Sequence, residues 1–193
     1  MSDFAQEIRA MNRIQPQDPA KLTGKAKELT DGIQAKMGSI PNVFKLMANA
    51  PVVLESYLNF SGALAQGVLS PRIREQIALV VAEANKCEYC LSAHSVIGKG
   101  AGLSDEEMMA ARKGEAMDPK AEAIIQFARK MVIQRADMQD ADIETLKRTG
   151  VTDAELAEII ANVSLNLFTN YFNHVAAPEV DFPMVKPLAA ATV

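Results

Sequence analysis

This chain of 193 residues has little of what several large function classes require. It has no excess of basic charge. The 20 Lys and Arg residues face 24 Asp and Glu, a formal net charge of −4, and no basic run exceeds two residues. An electropositive surface for nucleic acid is therefore not expected. No apolar stretch approaches the roughly 20 residues needed to span a bilayer, so no membrane partner is expected either. The first residues, Met1-Ser2-Asp3-Phe4-Ala5-Gln6-Glu7, are acidic and lack an apolar core segment. They do not read as a secretory signal, and a cytoplasmic location is the expectation. There is no Gly-rich phosphate loop and no flavin or nicotinamide signature, so no cofactor is expected. Alternating runs of Val, Ile, Thr and Tyr are missing, which argues against strands. Cysteine is scarce: there are only two, three positions apart. A secreted disulfide scaffold would use more and space them widely. A reducing compartment makes a static disulfide an unattractive explanation for the pair.

What is present is helical. Hydrophobic residues make up 49% of the chain, enough for a substantial core, and the punctuation is that of helix ends. Ser70-Pro71 and Asp118-Pro119 each place a capping side chain before a proline at the first helical position. Ser104 with Glu107 forms a capping box, and Asp153 opens a further helix. Ala121, Ile124, Ile125, Ala128 and Val132 recur at helical spacing. The pattern predicts an all-α fold in one domain over 1–193, with helices near 4–12, 20–37, 42–49, 51–66, 71–85, 87–100, 105–113, 119–136, 140–148 and 153–173. Residues 1–37 form an N-terminal helical arm and 60–110 the core. Pro178, Pro183 and Pro187 forbid regular helix in 175–193, which is expected to be an extended tail. Val180, Phe182, Met184 and Val185 favour a tail docked on the body or on a neighbouring subunit. A weak internal repeat aligns Gly67-Val68-Leu69-Ser70 with Gly150-Val151-Thr152-Asp153. It places Glu75 on Glu158, and Cys87 and Cys90 on Asn170 and Asn173; two amphipathic helices of similar composition can produce such a match by chance.

The chemistry concentrates at Cys87-Glu88-Tyr89-Cys90 followed by His94. Cys-x-x-Cys spacing is read as a redox dithiol, as half of a zinc site, or as two chance buried cysteines. Zinc needs four ligands, and only Cys87, Cys90, His94 and His174 are available, so no metal is expected. Residues three apart share a helix face, and a break at Asn85-Lys86 would put both thiols in the first turn of a new helix. The partial positive charge there favours thiolate. His94 follows Cys90 by one turn and can exchange a proton with a sulfur. A carboxylate would orient it, and both Glu75 and Glu83 are candidates. On one unbroken helix Glu83, Cys87, Cys90 and His94 would share a sector of roughly 60°; with a break, packing of two helices could bring in Glu75 instead. Phe60, Leu64, Tyr89 and Phe168 are candidate pocket residues or plain core, and Tyr89 could donate a hydrogen bond to a substrate oxygen. His174 reads as a core or tail contact.

Residues 74–94, with Glu75, eleven residues, Cys87-x-x-Cys90, three residues and His94, resemble the core of the AhpD-like alkylhydroperoxidases of the carboxymuconolactone decarboxylase superfamily. Ile40-Pro41-Asn42-Val43-Phe44, Gly98-x-x-Ala101-Gly102-Leu103-Ser104, Asn173-His174 and Asp181-Phe182-Pro183 extend the likeness, the last two toward a peroxidase-related branch. The resemblance implies an AhpD-like helical bundle assembled as a homotrimer or homohexamer. It implies a peroxidase acting on hydrogen peroxide or an alkyl hydroperoxide and recycled by an external dithiol protein or small thiol. Cys90 would become the sulfenic acid, with Cys87 as its dithiol partner and Glu75 and His94 as the proton relay. A thiol–disulfide relay or redox sensor without peroxidase turnover is the alternative. Tyr89 stands where the best-studied branch has a second histidine, so reductant and substrate range need not carry over. The decarboxylase branch typically lacks the dithiol, and both cysteines here argue against lactone decarboxylation.

Overall fold

The structure, a computed structural model, describes residues 12–189. The helix expected near 4–12 lies essentially outside them. Among the described residues the secondary structure is entirely helical. A short 3-10 turn, Pro19–Lys21, precedes nine α-helices: α1 Gly24–Met37, α2 Asn42–Met47, α3 Pro51–Leu64, α4 Pro71–Ala84, α5 Glu88–Gly100, α6 Asp105–Lys113, α7 Pro119–Ile133, α8 Asp140–Arg148 and α9 Asp153–Ala176. The fold is all-α, as the composition and punctuation predict.

Local chemistry sets the helix starts. Ser70, Ser104, Asp118 and Thr152 each accept a hydrogen bond from a backbone N–H in the first turn they cap, satisfying donors that a helix cannot pair internally. Five of the C-terminal ends are shifted by one to three residues from the sequence reading, and α1 starts at Gly24 rather than at 20. α7 stops at Ile133 because Arg135 and Ala136 adopt left-handed backbone, φ 53° and 61°. α9 runs on to Ala176 before Ala177, φ 51°, ends it.

The centre of the molecule is α4. Ile77, Ala78, Leu79, Val80, Val81 and Ala82 are all essentially inaccessible, because α5, α6, α7 and α9 pack around it. Six consecutive buried residues leave α4 no solvent face over that stretch, and each of its large aliphatic side chains contributes about 1.5–3 kcal/mol by burial. Its approach from α3 is held by Glu158 on α9, which accepts hydrogen bonds from the N–H groups of Val68 (2.7 Å) and Leu69 (2.9 Å). A Cβ at Gly67 would meet that carboxylate, so a larger residue there would have to push Glu158 off these hydrogen bonds.

After Ala177 the chain has no regular structure and lies along the body. Asp181 accepts the N–H of Asn42 at 2.8 Å, Val185 N–H donates to Ser92 Oγ at 2.9 Å, and Leu188 N–H donates to Glu83 at 2.8 Å. The segments aligned as a repeat differ in one respect. α9 runs unbroken through positions that align with the break between α4 and α5, so one half carries a turn where the other continues.

Candidate active site

The site is built on the end of α4. Asn85 closes the helix, and Lys86 takes the left-handed conformation, φ 55°. Lys86 N–H bonds to Glu83 C=O at 3.0 Å and Cys87 N–H to Ala82 C=O at 2.9 Å. These two bonds are the Schellman pattern, here with lysine in the place glycine usually fills. The turn makes Cys87 the N-cap of α5 and puts Cys90 on the third residue of its first turn. Cys87 Sγ accepts the Cys90 N–H at 3.4 Å, the capping role usually given to Ser, Asp or Asn.

The two cysteines are free thiols, both buried, with Sγ atoms 2.6 Å apart. Their acidities are driven in opposite directions. Cys87 is lowered, first by the hydrogen bond from the Cys90 thiol, then by the Cys90 backbone N–H, Asn173 and the charge of His94, against burial. Cys90 is raised well above the ordinary thiol value by burial and by its neighbour Cys87. Both sets of causes favour negative charge on Cys87 over Cys90.

Glu75, on α4, meets His94, on α5, with His94 Nδ1 and Glu75 Oε2 at 2.8 Å; the side chains are 19% and 15% exposed. Burial opposes charge on the imidazole, but the Glu75 carboxylate outweighs it through its charge and hydrogen bond, and the His94 pKa is raised above 6.5. Glu83 is placed elsewhere, which corrects its candidacy for the relay. The break after Ala84 removes the phase relation that an unbroken helix would have given it. Glu83 Oε2 instead accepts Arg112 Nε at 2.8 Å, and Oε1 accepts the Leu188 N–H, while Arg112 Nη2 donates to Lys186 C=O at 2.7 Å. This buried pair anchors the tail.

Tyr89 is also corrected. Its hydroxyl donates to Asp181 at 2.8 Å and accepts the Val43 N–H at 3.2 Å, so it is not free to donate to a peroxide. Burial and Asp181 raise its pKa. Its ring packs edge-on against Phe182 of the tail, centroids 5.6 Å apart. Of the other pocket candidates, Phe60 and Phe168 are about 40% exposed and, with Leu64, lie off the cavity beside the thiols. That cavity, about 60 Å³, is walled by Phe44, Tyr57, Tyr89, Cys90, His94, Asn173 and Phe182, among others. It is several times the ~10–15 Å³ that a single water needs. Burial pushes the Tyr57 hydroxyl pKa up to about 12. His174 is exposed and its ring binds Asn85 C=O at 2.8 Å, a structural contact.

The residue that the sequence reading left without a role at the thiols is Asn173. Its Nδ2 donates to Cys90 Sγ at 3.2 Å, while its Oδ1 is buried without a partner. Asn170 Oδ1 accepts from Asn85 Nδ2 at 3.0 Å, and Asn170 Nδ2 is likewise buried and unpaired. Asn162, Asn166, Asn170 and Asn173 form one buried stripe on α9. Asparagine recurring every three to four residues in an apolar helix was the available signal, since burying an amide costs free energy unless it has work to do. Among the described residues, no cluster of three or more His, Cys, Asp and Glu side chains is arranged to hold a metal.

A helical bundle with a dithiol at the start of one helix and a carboxylate–imidazole pair beside it is the AhpD-like fold. Residues 51–132 match the model of the Carboxymuconolactone decarboxylase family. A solved structure described as an alkylhydroperoxidase AhpD core, a peroxidase-related protein from Ralstonia eutropha, superposes with a TM-score of 0.80 at 24% identity, covering 88% of this chain and 92% of that one. A peroxidase-related protein from Silicibacter sp. gives 0.77 at 25% identity, covering 90% and 97%. The debrominase Bmp8, solved with 2,3,4-tribromopyrrole, gives 0.76 at 18% identity, covering 89% and 93%; at that distance it shares the fold alone. An uncharacterized protein of Haemophilus influenzae is 36% identical over 70 residues, 36% of this chain and 57% of that protein. The chain thus spans somewhat over half the length of this relative. Over residues 51–132 the chain is thus similar to the carboxymuconolactone decarboxylase family, and as a whole it has the fold of the AhpD-like, peroxidase-related proteins.

Proposed function

We propose that the protein is a thiol peroxidase that reduces hydrogen peroxide or an organic hydroperoxide through Cys90 and Cys87. One observation carries this reading: Cys90 and the Glu75-paired His94 line the same small, mostly apolar cavity, with Cys87 in contact behind Cys90. No direct hydrogen bond joins His94 to either sulfur, so a proton passes between them through the bound hydroperoxide or a water. Cys90, once deprotonated, attacks the O–O bond, forming a sulfenic acid as an alcohol or water leaves with a proton. The raised Cys90 pKa makes its thiolate scarce but intrinsically strong as a nucleophile. Cys87 thiolate then attacks the Cys90 sulfur, closing the disulfide and releasing water after protonation. Asn173 Nδ2 supplies a hydrogen bond to the Cys90 sulfur throughout. An external dithiol returns the pair to the thiols by exchange, which suits a reducing, cytoplasmic setting; no helix of the described residues is long and apolar enough to cross a membrane.

The test is single-turnover oxidation by hydrogen peroxide and cumene hydroperoxide. Wild type should end as a Cys87–Cys90 disulfide by mass spectrometry, and Cys90→Ser should lose the reaction. A dithiol that titrates in a redox buffer yet ignores both peroxides would favour the relay or sensor reading. The exposed stripe Ile160, Phe168, Tyr171 and Val175 on α9 supports assembly into a homotrimer or homohexamer, which sedimentation would measure.

A further inference from the structure

The two sulfurs open on different concavities. Cys90, not Cys87, lines the small cavity it shares with His94. Cys87, not Cys90, lines a larger cleft of about 440 Å³ formed by the α4–α5 turn, the end of α9 and the start of the tail. Only Tyr89 and Asn173 belong to both walls. They form a partition, and the dithiol spans it. The linings also differ in chemistry. The cavity is mostly aromatic and aliphatic. The cleft carries Arg13, Lys86 and His174 together with Glu88 and Glu179, which suits a polar, charged thiol rather than an uncharged hydroperoxide.

We propose that this cleft is the docking site of the reductant, a polar dithiol, and that it attacks the disulfide at Cys87 Sγ while the oxidising substrate meets Cys90 from the other side. The proposal rests on the peroxidase reading for what enters the cavity, but not for what enters the cleft. In the reducing half, the incoming thiolate forms a bond to Cys87 Sγ and the Cys87–Cys90 bond breaks. Cys90 departs with the electron pair as a thiolate, facing the Asn173 amide and His94. The second thiol of the reductant, losing its proton to solvent, displaces Cys87 as a thiolate and leaves as its own disulfide. Substrate and reductant then never compete for one opening. Attack at Cys87 places the leaving charge on Cys90, where the Asn173 hydrogen bond, 3.2 Å long, works against the burial that raises that thiol, so access rather than leaving ability selects the sulfur. The choice of sulfur attacked is one of the factors that set the rate of exchange.

Two half-reactions test this separately. Wild type is oxidised to the disulfide with diamide, which needs no peroxidase activity, and its reduction by dithiothreitol is timed; oxidation of the reduced protein by cumene hydroperoxide is timed apart. Glu88 is exposed in the first turn of α5 and lines the cleft alone, so Glu88→Trp should slow reduction at least tenfold and change oxidation less than twofold. Ile97 lines the cavity alone, and Ile97→Trp should do the reverse. If Glu88→Trp slows both halves alike, or slows neither, the proposal is overturned. A second measurement uses single thiols. Glutathione disulfide should modify Cys87 in Cys90→Ser at least tenfold faster than Cys90 in Cys87→Ser, and equal or reversed rates would overturn the assignment. If cumene hydroperoxide fails to oxidise wild type, the peroxidase reading falls, and the diamide and glutathione arms still decide the cleft.

Discussion

The two glutamates on α4 provide the sharpest contrast the molecule offers. They are eight residues apart on one helix, both mostly buried, and both ion-paired. Glu75 faces His94 beside the thiols, whereas Glu83 holds Arg112 and the backbone of the tail. The Arg112 and Glu83 side chains are 7% and 13% exposed. Removing one partner of such a pair leaves the other charge buried and costs about 3–5 kcal/mol. Each kcal/mol lowers the melting temperature of a domain of this size by about 2–4 °C. Glu83→Ala should therefore melt about 6–20 °C below wild type by calorimetry, and proteases should cut its tail earlier. At a temperature where it is folded, its single-turnover oxidation by cumene hydroperoxide should stay within a few-fold of wild type. Glu75→Gln should behave oppositely. The amide can still hydrogen-bond the imidazole, so the melting point should move by only a few degrees. Losing the charge that supports proton transfer should slow oxidation of the dithiol by about a hundredfold or more. Similar rates for the two variants, or a slow Glu83→Ala beside a fast Glu75→Gln, would refute the placement of the relay.

Further outcomes follow from individual contacts. The chain has two histidines, so proton NMR can follow His94 directly; it should titrate above 6.5, and Glu75→Gln should move it down, since burial is then opposed only by the charge of Cys87. Because its folded pKa is raised, the Glu75–His94 pair stabilises the fold fully below the unfolded value, and that contribution disappears as pH rises through the folded value. Urea melts at a series of pH values should show this loss in wild type and not in Glu75→Gln. Asn173→Ala removes a hydrogen bond to a sulfur that must become charged, worth about 1.5–3 kcal/mol; iodoacetamide should alkylate Cys90 about 10- to 100-fold more slowly in Asn173→Ala/Cys87→Ser than in Cys87→Ser. Tyr89→Phe removes the hydroxyl's bonds to Asp181 and to the Val43 N–H, and hydrogen exchange should show faster opening at Asn42 and Val43 while oxidation of the dithiol persists.

Much of the fold was legible because helix ends are written in local chemistry. Ser70-Pro71, Ser104 with Glu107, and Asp118-Pro119 cap through contacts within four residues, so their spacing sufficed. Where an end depends on an unusual backbone, as at Arg135 or Ala177, no glycine announced it, and boundaries moved; at Asn85-Lys86 the break itself was legible, and only its left-handed turn was not. The tail shows the same division. Its prolines ruled out helix from sequence alone, yet the bonds that hold it, from Asp181, Val185, Lys186 and Leu188, reach residues more than seventy positions away.

Sequence by itself determined an all-helical chain with two thiols one turn apart, a histidine a turn further on, and two glutamates upstream. These are facts of spacing, and helical periodicity translates spacing into proximity. Tertiary structure alone decided which glutamate meets His94, because the turn at Lys86 separates α4 from α5 and only packing fixes their relation. It also decided that Asn173, 83 positions after Cys90, reaches that sulfur, that the Tyr89 hydroxyl is committed to Asp181, and that the two thiols face different openings. Each of these depends on the arrangement of elements distant in the chain, and no local pattern encodes that.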